Sequence, residues 1–210
     1  MYRYLNNLNP YWAGKYTNNA YAIEHGLKYL STVRSVALIP AMVDLEEIAP
    51  SMSYLPGKAL QTEILAWIGN NIDSINAQLT TCLQACHDCF YPHQRPQVEI
   101  WATPIASRFA IDALCNVEAK PRVILMDVGR IAPSDWLRIV AHEYAHAQLG
   151  YPGHGDAFLA VLEHLCLGLG IEPPGCHPEM SAPEKEARLQ KWPPCDFVTH
   201  PIEFWRGVKL

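Results

Sequence analysis

No run of eighteen or more apolar residues occurs in the 210-residue chain, which excludes a membrane-spanning helix from its expected organisation. The opening stretch, MYRYLNNLNPYWAGKYTNN, lacks the basic start and apolar core of a secretory signal, so a soluble, cytoplasmic protein is expected. Positive charge is scarce: sixteen Lys and Arg face twenty-one Asp and Glu, for a formal net charge of −5. Residues 134–210 carry six basic against ten acidic side chains, so a phosphate backbone finds little attraction there and a nucleic-acid partner is not expected. Seven cysteines, an odd number without a tight framework, fit reduced thiols better than a secreted disulfide scaffold. What remains, 50% hydrophobic and 18% charged, is the balance of a globular chain with a real core.

The chain is organised around residues 134–150, SDWLRIVAHEYAHAQLG. Ser134 offers an N-cap, Asp135 suits a first turn, and Gly150 followed by Pro152 supplies a stop, so a bounded helix is expected. Trp136, Leu137, Val140, Ala141, Tyr144, Ala145 and Ala147 cover most of its circumference, the pattern of a buried helix. On its remaining sector lie His142 and His146, one turn apart, with Glu143 between them in the pattern H-E-x-x-H. Two imidazoles on one helix face can hold a single zinc ion, and Glu143, turned by about 100°, is placed to reach a water rather than the metal. Glu143 is therefore the candidate general base.

A catalytic zinc site usually has three protein ligands and one open position. His154, between two glycines in the turn Tyr151-Pro152-Gly153-His154-Gly155-Asp156, is the expected third ligand. Glu163 and His164 are rivals, but a helix capped by Asp156 would bury Phe158, Val161, Leu162, Leu165 and Leu169 and turn both rivals to solvent.

The run HEYAHAQLGYPGHGDAF resembles the SprT-like group of zincin metallopeptidases on His142, Glu143, His146, His154, Gly155 and Phe158. It differs in a shorter loop before His154 than in many members and in having no C-terminal zinc ribbon of paired C-x-x-C motifs, which weakens any claim to the DNA-linked proteolysis of parts of that family. The resemblance implies an α+β fold with a zincin-like core of a small sheet plus the active-site helix, bound Zn2+ and a protein or peptide substrate. The chemistry expected is hydrolysis by a metal-activated water with Glu143 as base. Tyr151, Arg130 and His177 are candidate oxyanion donors, and Asp127 or Asp156 candidate partners of a ligand imidazole. The competing expectation is a non-catalytic or partner-activated metal-binding scaffold.

Three regions are expected along the chain. Residues 1–92 form a mainly helical N-terminal region, with an aromatic arm (Tyr2, Tyr4, Tyr11, Trp12, Tyr16), a helix near 18–32 and a long amphipathic helix over about 57–90. That last helix aligns Ile64, Ile68, Ile72, Ile75, Leu79, Cys82, Cys86 and Cys89 on one side. The spacing C-x-x-x-C-x-x-C also suits an iron–sulfur cluster, or a structural metal shared with His87 or His93; continuation of the isoleucine stripe favours packing. Residues 93–172 form the zincin-like catalytic core, with strands at 97–103 and 121–128, an ambiguous segment at 107–114, and a peptide-pairing edge offered at 125–128. Residues 173–210 hold seven of the seventeen prolines and are expected to be an extended arm with a short helix at 184–191, wrapping the core and ending on Phe204 and Trp205; an arm that crossed the cleft would restrict access to it.

Overall fold

The computed structural model describes residues 20–50, 57–196 and 200–208. The aromatic N-terminal arm lies outside them. The described chain is mixed α and β: α1 (Ala20–Val36), α2 (Leu45–Ile48), α3 (Gly57–Asp88), β1 (Val98–Ala102), β2 (Ala113–Asn116), β3 (Arg122–Met126), α4 (Trp136–Leu149), α5 (Asp156–Leu169), α6 (Ala182–Gln190) and α7 (Pro201–Phe204). No helix among the described residues is long and apolar enough to cross a membrane.

The 32 residues of α3 form the brace, about 48 Å long at 1.5 Å per residue. Its stripe is buried as the periodicity requires: Ile64, Ile68, Ile72, Ile75, Leu79 and Cys86 are all 0% exposed. α1 crosses it at two glycines. A Cβ on Gly26 would collide with the Leu65 carbonyl, and one on Gly69 with the Ala22 carbonyl, so the backbones touch where side chains would hold them apart. The Nδ1 of His25 bonds the Gly69 carbonyl at 2.9 Å across this crossing.

The sheet has three strands in the order β1-β3-β2, with β3 parallel to β1 and antiparallel to β2. The two expected strands are present, trimmed at their ends to β1 and β3. The ambiguous segment resolves into a 3-10 turn at Ser107–Phe109 followed by β2, the third strand. This arrangement corrects the expected peptide-pairing edge: β3 is bonded on both sides, whereas β2 is the outer strand on the side of α4. α4 packs on β2 and β3, α3 packs on β1 and α4, and α5 packs on α4. One hydrophobic cluster runs from Tyr29 through Ile75, Ile124, Trp136 and Leu165 to Trp205.

A buried carboxylate anchors the loop after β3. Asp127 accepts from the backbone N–H of Ile105 (2.9 Å) and Gly129 (3.1 Å), from Trp205 Nε1 (2.7 Å) and from Arg130 Nε (2.9 Å). Burial raises its pKa, and the Ile105, Trp205 and Arg130 donors oppose the rise. Asp127 and Arg130 are thereby occupied in tying the C-terminal Trp205 to the core, which removes Asp127 as an imidazole partner and Arg130 as an oxyanion donor.

Candidate metal centre

α4 begins one step later than its sequence suggests. Residues Pro133–Asp135 form a 3-10 turn, Asp135 occupies the cap without a side-chain capping bond, and Ser134 lies inside the turn rather than at the N-cap. The Asp135 carboxylate is committed elsewhere, accepting from the Asp196 N–H at 3.0 Å and facing Arg138 at 3.4 Å. The C-terminal end matches the expected stop: Gly150 has φ +66° and its N–H bonds the His146 carbonyl at 2.8 Å. The Arg122 guanidinium donates to the Ala147 carbonyl and lies where a Cβ on Gly150 would sit. A cation thus covers the negative end of the helix dipole just before the turn that carries His154.

His142 and His146 are buried on α4 at 8% and 6% exposure, and His154 reaches them from that turn. The Nε2 atoms of His146 and His154 are 3.2 Å apart, as are those of His154 and His142. Two nitrogens at 2.0–2.1 Å from one tetrahedral zinc are separated by about 3.3–3.4 Å, so the ring nitrogens lie near the edges of such a coordination shell. Among the described residues this is the one group of three or more His, Cys, Asp or Glu side chains whose ligand atoms converge. Cys82, Cys86 and Cys89 do not converge; nor do Cys176, His177, Cys195 and His200.

The protonation pattern suits a metal. His146 Nδ1 lies 3.0 Å from the Tyr151 carbonyl, which can only accept, so the proton sits on Nδ1 and the Nε2 lone pair faces the centre. Burial, with the neighbouring imidazoles, lowers the pKa of His142 to about 3; burial lowers that of His146 to about 4, and that of His154 is also lowered. Three neutral imidazoles therefore meet at neutral pH. The buried Nδ1 of His142 has no well-formed hydrogen bond, and the backbone of Trp192 is the polar group beside it.

Phe158, 1% exposed on α5, is the floor of the centre, with its ring centroid 5.0, 4.5 and 4.8 Å from those of His142, His146 and His154. On the other side, Trp192 stacks near His142 at 6.4 Å and 17°. Glu143 is buried on α4 beside the triad, and burial raises its pKa to about 8, opposed by the backbone N–H of Cys115 on β2. The three histidines, Glu143, residues 110–115 and residues 190–195 line a single cavity of about 710 Å³, within the range of ligand clefts.

The remaining sequence candidates lie elsewhere. Glu163 and His164 are exposed, as the helical pattern of α5 requires, and His164 bonds the Cys89 carbonyl at 2.8 Å. Gly155, not Asp156, caps α5, and exposed Asp156 faces Lys185 at 3.5 Å instead of an imidazole. His177 is exposed and absent from the cavity lining. Tyr151 contributes its carbonyl, while its side chain is 62% exposed. The sequence reading missed the Tyr151 carbonyl, the β2 backbone beside Glu143, the ring of Phe158 as a floor and the overlying Trp192; of these only Phe158 carries a sequence signal, its place on a buried stripe. No family model, characterised protein or solved structure matches the chain.

Proposed function

We propose that this chain is a zinc-dependent metallopeptidase with a zincin-like core, the function that the SprT-like run HEYAHAQLGYPGHGDAF implies. One observation carries the reading: the Nε2 atoms of His142, His146 and His154 converge at 3.2 Å contacts with the His146 tautomer fixed by a carbonyl. These three residues would hold the ion. Zinc, when bound, supplies Lewis acidity that polarises a carbonyl and lowers the pKa of water.

The chain's own groups would do the rest. Glu143, the next residue on α4 after His142, accepts the proton of the attacking water and returns it to the leaving amine. Its raised pKa describes the site without the ion; a dication alongside favours the carboxylate and brings the base into its working form. A peptide rather than a small ester is favoured because β2 borders the cavity as an outer strand, along which an extended chain can lie. The test is cleavage of an unfolded protein by purified, zinc-loaded chain. Cleavage should stop with a chelator, return with zinc and fall at least about a hundredfold in Glu143→Gln, and equal cleavage by Glu143→Gln would remove the proposed base.

A further inference from the structure

Resting on the peptidase reading, the cavity lining narrows the substrate. Ile111 and Leu114 come from the β2 segment, Ile139 stands on α4 one turn before His142, Leu38 follows α1, and Trp192 and Pro194 come from residues 190–195. The charged and amide groups of that lining outside the centre are Asp112, Gln190 and Lys191. Leu38 is 56% exposed and its neighbour Ile39 44%, so an apolar lip continues outward from the cavity.

Residues 190–195 are tied at both ends. Before them, Leu189 of α6 is 0% exposed in the core. After them, Asp196 donates its N–H to the Asp135 carboxylate (3.0 Å) and accepts from the Ala132 N–H (3.1 Å). Between these ties Trp192 is only 8% exposed and stacks beside His142. This strap is therefore a wall built into the fold, facing β2 across the cavity. A charged side chain placed between such walls would be desolvated with few partners, whereas a bulky aliphatic one would fill apolar space.

We infer that the cleft between β2 and the strap selects extended peptides with bulky aliphatic or aromatic side chains flanking the scissile bond, with Leu38, Ile111 and Trp192 as specificity determinants. The experiment uses two blocked decapeptides, one centred on Leu-Leu and one on Asp-Asp, with zinc-loaded wild type, Leu38→Asp and Ile111→Asp. The leucine peptide should be cleaved at least about tenfold more efficiently in kcat/KM, the scale on which apolar pockets discriminate, and each variant should lose most of that ratio with zinc content unchanged. Leu38 is exposed, so its variant reports even where Ile111→Asp fails to fold. Equal cleavage of both peptides, or a ratio unmoved by Leu38→Asp, overturns the inference and leaves the peptidase reading standing.

Binding separates the two failures. Zinc-loaded Glu143→Gln is titrated with both peptides, and Trp192 emission is read against the Trp192→Phe background. Tighter binding of the leucine peptide by about tenfold without cleavage in wild type would retain the groove and reject the peptidase reading. Equal or undetectable binding of both would reject the groove.

Discussion

Two clusters in this protein have the spacing of metal ligands, and they have opposite fates. On α3, Cys82, Cys86 and Cys89 repeat at four and three residues; on α4 and the following turn, His142, His146 and His154 repeat at four and eight. The cysteines continue a stripe of isoleucines into the core, where Cys82 is 1% and Cys86 0% exposed, and burial pushes the Cys82 thiol up to about 11. A thiol held protonated among hydrocarbon is packing material. His142 and His146 are buried too, but their ring nitrogens converge with that of His154 on one place, and the outer nitrogen of His146 meets the Tyr151 carbonyl. Spacing nominates ligands; convergence of unprotonated donor atoms selects among them.

The sharpest way to break this contrast is to delete donors from each cluster. His142→Ala, His146→Ala and His154→Ala should each take the bound zinc from about one per chain to near zero, whereas Cys82→Ala and Cys86→Ala should leave it unchanged, as read by elemental mass spectrometry. Zinc retained by all three histidine variants and lost from a cysteine variant would reverse the assignment.

A smaller but still large effect separates holding the metal from using it. Glu143→Gln should retain zinc and lower kcat by about 10² to 10⁴, the usual contribution of a general base, in peptide-cleavage assays.

The same residue carries a pH signature in the metal-free protein. Glu143 has a folded pKa of about 8 against an ordinary 4.5, so between those values the folded state holds a proton that the unfolded state has released. Stability must then fall as pH rises through that window, by at most about 1.4 kcal/mol per pH unit from this group. Chelated Glu143→Gln should therefore gain stability over chelated wild type from pH 5 to 8 in urea titrations, and zinc should shrink the difference. A constant offset would show that Glu143 ionises normally. The smallest effect belongs to the cysteine cluster: Cys86→Ser buries a polar hydroxyl among hydrocarbon and should cost about 1–3 kcal/mol in chemical denaturation without altering zinc.

How much of this was legible in the sequence follows from what each segment relies on. α3 depends on periodicity, and its stripe could be read residue by residue. α4 is closed by Gly150 at φ +66°, a stop visible in the sequence, and α5 closes the same way at Gly170, two residues beyond the glycine at which the pattern suggested an end. β2 was not, because the stretch Ala113-Leu114-Cys115-Asn116 has neither alternation nor β-branched residues and becomes a strand only by pairing with β3. The misplaced N-cap has a similar cause: Ser134 is a good capping residue by type, but Pro133 starts a 3-10 turn and shifts the helix start to Trp136. At the candidate metal centre the histidines could be named in advance, since helix geometry puts His142 and His146 on one face. The carbonyl of Tyr151, the Cys115 N–H and the strap could not, because backbone groups carry no residue signature and a proline-rich strap has no period.

The most direct measurement is zinc-edge X-ray absorption on the zinc-loaded protein, because it reads the donor atoms themselves. The three-histidine centre predicts a first shell of nitrogen and oxygen at about 2.0–2.1 Å, imidazole scattering beyond it and no sulfur. A sulfur shell near 2.3 Å would place the metal on the cysteines and contradict the account.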